Sequence, residues 1–260
     1  MTGPVTTAIR PLASGAPCFH IALDAPRSNA LEPGLLAGLH AALDALEASG
    51  ARVALLTGGR NFSTGGDVAR FHDAARTGTA AAYADEVVPR LQDCVSRMVA
   101  MPVLFATAAR GAITGGSAGL LFASDLTVLA PDAFVQPYYA TVGFAPDGGW
   151  TALLPERIGA AAAQQWLMLD GRHGADDLHR MGLATAIDTA PETRALDLLN
   201  TLNLDAAITT KGLIWDAARR AALRDRLAAE TTAFRARIAL ETTQAGMARF
   251  LGREQETPHV

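Results

Sequence analysis

Two glycine-rich segments each follow a short apolar run, and this pairing constrains the chain more than any other feature in it. The segments are Ser63-Thr64-Gly65-Gly66-Asp67 and Gly115-Gly116-Ser117-Ala118-Gly119. The runs before them are Val53–Thr57 and residues 103–108. Set between helical patterns and glycine, such runs read as strands of a parallel sheet buried on both faces. Glycine allows positive φ and close backbone approach, so each loop can bring N–H groups up to a ligand. Two such groups aimed at one point would form an oxyanion hole, in which one donor is worth roughly 10²–10³ in rate. A small-residue helix expected over 116–123 would add the positive end of its dipole. Taken singly, each loop reads as a tight turn. Neither matches GxGxxG or the P-loop, so a phosphate cradle of those kinds is not supported.

Between and beyond these loops, apolar residues recur at helical spacing. Leu35, Leu36, Leu39, Leu43 and Leu46 mark a helix starting near Leu31 and stopped by Gly50. Val87, Val88, Leu91, Val95 and Met98 mark another over 83–98, with Pro102 ending it. Residues 18–23 and 126–130 add strands, and 24–29 a turn carrying Pro26 and Asn29. Residues 58–67 and 111–119 are expected as loops, 161–170 as a helix that Gly171 stops, and 175–181 as a shorter one. Beyond Thr189 the pattern is wholly helical. Helix–strand alternation followed by helices alone predicts an α/β fold with a helical C-terminal appendage.

Composition excludes several classes. The 260 residues suit one large domain, or a core with a small appendage. Half are hydrophobic and 18% charged, which supports a sizeable core and argues against disorder. With a net charge of −4 and no Lys/Arg block, nucleic acid is not an expected partner. Residues 1–10 hold no apolar run of signal-peptide length, and no stretch approaches the ~18 apolar residues of a membrane span. A cytoplasmic protein is expected. Cys18 and Cys94 are far apart and lack a CxxC partner, so both read as buried or incidental thiols. His20, His40, His72, His173 and His179 show no HxxxH or HExxH spacing, and no metal site is expected.

An ordered set of motifs resembles the crotonase (enoyl-CoA hydratase/isomerase) superfamily. Asn29-Ala30-Leu31, a helix, Val53-Ala54-Leu55-Leu56-Thr57-Gly58 and Phe62-Ser63-Thr64-Gly65-Gly66-Asp67 match its NAL, its apolar strand ending in TG, and its F-S-x-G-x-D. The segment from Pro102 to Gly111, with Gly115-Gly116, is similar to the P-V-I-A-A-x-x-G-x-x-x-G-G stretch, and Ala123-Ser124-Asp125-Leu126 to A-S-D-[LI]. Leu169-Asp170-Gly171-Arg172, Ala175 and Met181-Gly182-Leu183-Ala184 follow in family order, as does the stretch from Gly246 to Leu251. The resemblance covers about residues 20–251. It implies a crotonase-like spiral of ββα turns, with residues 1–195 as the core holding a CoA-thioester site. Residues 196–260 would be helical and used in packing and oligomerisation, usually as homotrimer or homohexamer. It implies that the N–H groups of Gly66 and Gly116 bind the thioester oxygen, with Ser63, Gly65, Tyr138, Tyr139 and Phe144 around the substrate. CoA enters as part of the substrate, and no separate cofactor is implied.

The chain departs from the family pattern at both catalytic glutamates. One would stand three residues after the second oxyanion glycine, where this chain has Gly119; the other would follow a proline, where Tyr138 and Tyr139 follow Pro137. Adding water to a double bond needs groups to activate water and deliver a proton, so ordinary hydratase chemistry is in doubt. Gly143-Phe144-Ala145-Pro146-Asp147-Gly148-Gly149 resembles the G-L-x-P-D-x-G-G of epoxyphenylacetyl-CoA isomerases. In those relatives, and in dienoyl-CoA isomerases, an aspartate here shuttles protons; in chlorobenzoyl-CoA dehalogenases it is the nucleophile. Asp147 is thus the expected catalytic carboxylate, desolvated by Phe144, Trp150 and the tyrosines; the plain alternative is a turn or N-cap residue. The expected activity is enoyl-CoA double-bond isomerisation. A hydratase-type lyase of acyl-CoA or fatty-acid metabolism and a non-catalytic acyl-CoA-binding homologue are the alternatives.

Three bland readings complete the expectations. Gly115 to Gly119 also fits G-x-S-x-G, but Arg110 to Thr114 separate Ser117 from the strand, and only His173, His179 and His259 lie late in the chain. Asp67 and Asp125 read as structural caps. Lys211 and the C-terminal arginines read as a solvated helix face, with CoA phosphates as the alternative.

Overall fold

The computed structural model describes residues 3–253. Its nine strands, in chain order, are β1 (Val5–Pro11), β2 (Pro17–Leu23), β3 (Val53–Thr57), β4 (Leu104–Ala109), β5 (Ala112–Thr114), β6 (Leu126–Leu129), β7 (Phe134–Gln136), β8 (His173–Gly174) and β9 (Ala186–Ile187). The larger sheet runs β1-β2-β3-β4-β6-β9 and the smaller β5-β7-β8. Only β1 pairs antiparallel in the larger sheet. The chain visits the sheets alternately: β4 then β5, β6 then β7, each pair followed by a helix. That is a spiral of ββα turns.

Burial on both faces explains why the strands read as unbroken apolar runs. All residues of β3 and β4 are buried. Ala54, Leu56, Phe105 and Leu129 face the main core, which includes the helices Pro33–Ser49 and Ala80–Ala100. Val53, Leu55, Leu104, Ala106 and Val128 face a second cluster closed by Ala195 and Leu199 of the helix Pro191–Asn200. From Pro191 on, the described chain is helical: Pro191–Asn200, Leu204–Ile214, Ala217–Ile238 and Glu241–Phe250.

Several local expectations are corrected. β1 precedes the strand expected to be first; its residues are largely exposed, so it carries little apolar signal. Residues 111–119 are not all loop, since β5 lies inside them. The helix Ala160–Leu169 ends at Asp170, in the left-handed region at φ 55°, rather than at Gly171. Asp125 does not cap a helix: its Oδ2 accepts from Phe105 N (2.8 Å) and Lys211 Nζ (2.9 Å). Lys211 is not solvated but buried, and Nζ also donates to the carbonyls of Met98 (2.8 Å) and Val103 (2.7 Å). This pair pins the helix Leu204–Ile214 to the end of β4.

Candidate active site

The two glycine loops are zipped together by backbone. Phe62 N donates to Arg110 O (2.9 Å), Ser63 N to Ala112 O (3.1 Å) and Thr114 N to Ser63 O (3.1 Å). A Cβ on Gly65 would lie 2.4 Å from the Thr114 carbonyl oxygen, so only glycine lets the loops meet. Behind them, Arg27, Ser28 and Asn29 take φ of 54°, 55° and 58°. Three consecutive non-glycine residues in this region cost of order 1–3 kcal/mol each. The turn is held by Asn29, whose Oδ1 accepts from Ala25 N (2.6 Å) and whose Nδ2 donates to Phe62 O (3.0 Å). Ser63 Oγ donates to Asn29 O (2.7 Å).

Gly66 and Gly116 line one cavity of about 360 Å³. Gly66 lies beside the N-cap of the helix Val68–Arg76, and Gly116 in a single 3₁₀ turn, Gly115–Ser117. The first N–H groups of a helix have no intrahelical partner, so the Gly116 N–H is available to a ligand. Asp147, Tyr138, Tyr139 and Phe144 line the same cavity. Ser63 and Gly65, expected against substrate, do not. Ser63 is fully buried and bonded to Asn29, and Gly65 faces the second loop. Both shape the wall from behind.

Asp147 sits on the turn after Pro146, with its carboxylate against Gly116: a Cβ at 116 would be 2.8 Å from Oδ1. It is only 8% exposed. Burial pushes its carboxyl up to about 7, opposed by the Tyr139 hydroxyl and reinforced by the nearby charge of Glu230. Tyr139 Oη donates to Asp147 Oδ1 and to the Asp147 carbonyl (3.1 Å). Burial and the neighbouring carboxylate raise Tyr139 well above the ordinary phenol range, so it stays a donor. Tyr138 does not reach Asp147 by any hydrogen bond. Its φ is 62°, and its ring meets Phe250 edge-on at 5.5 Å. Trp150 is fully buried below, its Nε1 donating to Gly115 O (2.7 Å). The other acid of the cavity, Asp67, is committed elsewhere: it caps its helix by accepting from Arg70 N (3.1 Å) and pairs with Arg27 (3.3 Å).

Sequence reasoning missed what the C-terminal helices contribute. Phe234, Phe250 and Leu251 line the cavity, with Phe71, Val87 and Val142. Phe71, Phe144 and Phe234 pack ring to ring with centroids 5.1–5.7 Å apart. Glu230, 3% exposed, accepts from Gly149 N (2.8 Å), Thr151 N (2.6 Å) and Thr151 Oγ1 (2.7 Å). A signal was present: in Ala217–Ile238, Glu230 stands within the buried stripe of Leu223, Leu227, Phe234 and Ile238.

The serine-hydrolase arrangement is not formed by the described residues. Ser117 is buried and donates to Thr114 O (2.8 Å), while His179 Nδ1 contacts Ala184 O (2.8 Å) and His173 packs on Trp166. His259 lies outside the described residues.

A profile of the enoyl-CoA hydratase/isomerase family matches residues 15–258. A Rhodobacter capsulatus protein named probable enoyl-CoA hydratase is 32% identical over 166 residues, covering 63% of this chain and 62% of that protein. The cyclohexa-1,5-dienecarbonyl-CoA hydratase of Thauera aromatica is 32% identical over 185 residues, covering 68% of this chain and 66% of that protein. The alignments thus span less than two thirds of either relative. The crystal structure of enoyl-CoA hydratase from Bacillus halodurans superposes with a TM-score of 0.84 at 21% identity, covering 95% of this chain and 99% of that one. At that identity the likeness is one of fold.

Proposed function

The chain belongs to the enoyl-CoA hydratase/isomerase family, and on that premise we propose that it is an acyl-CoA enzyme that moves a double bond through a thioester enolate, with Asp147 as the proton shuttle. The thioester oxygen of a 3-enoyl-CoA lies between the N–H groups of Gly66 and Gly116. Asp147 takes a proton from C2, the C3–C4 double bond becomes C2–C3 through the dienolate, and the same proton is returned at C4. One carboxylate is enough, and no water is consumed. The observation that carries this reading is a buried carboxylate, poised near neutral pH, lying against Gly116 in the cavity that Gly66 also lines. The test is turnover of 3-enoyl-CoA substrates with mass and NMR detection, alongside Asp147→Asn. The variant is expected to lose about 10²–10⁴ of the rate. Full activity in the variant sinks the proposal.

A hydratase-type lyase is the second reading, favoured by the names of the curated relatives. It requires a second group to handle water, and Gly119 offers none. A product 18 mass units heavier than substrate, the mass of one water, would select it. CoA affinity with no turnover of any thioester would select a binding homologue. The same proposal includes assembly as a homotrimer or homohexamer, read directly by sedimentation.

A further inference from the structure

Glu230 is the one acid in the buried stripe of the helix Ala217–Ile238, and every group hydrogen-bonded to it donates. Among the described residues it forms no ion pair: burial raises its carboxyl above the ordinary range, opposed by the Thr151 hydroxyl and backbone N–H groups of the turn after Asp147. A buried carboxylate held only by donors of one short turn is costly unless it fixes that turn. The same helix adds two further contacts. Phe234, one turn on, packs on Phe144, and Arg237 Nε donates to Gly143 O (3.0 Å). Positions 230, 234 and 237 thus hold the segment 143–151 from one side. The tolerance on the other side is small, because a Cβ on Gly148 would lie 2.5 Å from Gly116 O.

We infer that Glu230 is a positioning residue: through the N–H groups of Gly149 and Thr151 it sets the turn that presents the Asp147 carboxylate to Gly116. It touches no substrate in this scheme. The inference rests on the proposed role of Asp147. The groups facing Asp147 are the Tyr139 hydroxyl on one side and Glu230 behind the turn. From the helix Ala80–Ala100, uncharged Leu91 lies against Gly116 and Val95 against Gly119 and Gly149, while Gln92 is bound to Thr231 (2.6 Å).

Two variants test it. Glu230→Leu completes the apolar stripe, so the fold is expected to survive while the turn loses its anchor. A shift of about 1 Å at a reacting group costs on the order of 10² in rate, so kcat is expected to fall about that much with KM within about twofold. Glu230→Gln keeps an acceptor and removes the charge. It is expected to retain more activity than Leu, and to move the acid limb of the kcat profile to lower pH, since the Asp147 anion then has no like charge nearby. Infrared titration of the carboxyl band lost in Asp147→Asn reads the same shift without substrate. Wild-type kcat and an unmoved band in both variants overturn the inference, as does a rate loss that tracks the unfolded fraction alone. If Asp147→Asn remains active, the proposed chemistry fails, and the band shift alone decides the role of Glu230.

Discussion

The carbonyl oxygen of Gly148 stands where a side chain at Gly119 would begin: a Cβ built on Gly119 would lie 1.7 Å from it. The position at which the resemblance expects a glutamate is thus filled by the backbone of the turn that carries Asp147. With that turn in place, no side chain fits at position 119.

Restoring that glutamate should accordingly fail. Gly119→Glu is expected to displace the 147–149 turn, lower the melting temperature and reduce isomerisation by about 10² or more, because the carboxylate leaves Gly116. Thermal melts and turnover measure this. A variant that melts with the wild type and hydrates 2-enoyl-CoA would contradict the packing described above.

The Asp147 carboxyl, pushed up to about 7 by burial, sets two pH dependences. As the proposed base it works only when ionised, so kcat should rise with pH and level off above about 7. Its folded value lies above the unfolded 3.8, so its contribution to stability is complete below that value and lost as pH climbs to about 7. Asp147→Asn, which cannot ionise, should gain in melting temperature relative to wild type across that interval. A constant difference would show that the carboxyl is not desolvated.

Tyr139→Phe removes the hydroxyl that donates to Asp147. A donor to the anion lowers an acid's pKa, so the acid limb should move to higher pH. Loss of a hydrogen bond to a charged group amounts to about 1.5–3 kcal/mol. At saturating pH the rate should stay well above that of Asp147→Asn, as befits a residue acting through another.

The packed rings of Phe71, Phe144 and Phe234 line the same cavity as Asp147. Phe234→Ala should raise kcat/KM for a long-chain acyl-CoA relative to a short one by about tenfold or more, an effect of the size that pocket methylenes give. An unchanged ratio would place the acyl chain elsewhere.

Away from the site, Lys211→Ala leaves the half-buried Asp125 with the Phe105 N–H but without its cation. Breaking a fully buried pair costs about 3–5 kcal/mol; the partial exposure of Asp125 places this one below that range, still readable as a drop in urea midpoint. Lys211→Met, similar in volume, should be less harmful if Asp125→Asn accompanies it.

Local pattern decided much of this molecule before any tertiary contact. Val53–Thr57 has the bounds its composition implies, because a strand buried on both faces has no reason to alternate. Leu35 to Leu46 mark the buried face of Pro33–Ser49, and Gly50 ends that helix at φ 68°. β1 escaped notice because its exposed residues carry no period, and Lys211 was misread because a charged side chain on a helix is ordinarily solvated.

The sequence alone determined the apolar strands β2, β3, β4 and β6, the helices between them, the two glycine loops, and the residues Gly119, Tyr138 and Tyr139 where the resemblance expects carboxylates. Only the tertiary structure decided what surrounds Asp147, the carboxylate that the resemblance singled out, and what holds its turn. Asp147 meets Gly116 across 31 residues and Glu230 meets Gly149 across 81. Periodicity encodes which face of an element is buried, but not what lies opposite; that follows from how sheets and helices pack. The desolvation that tunes Asp147 exists only once Tyr139, Trp150 and the C-terminal helices have closed around it.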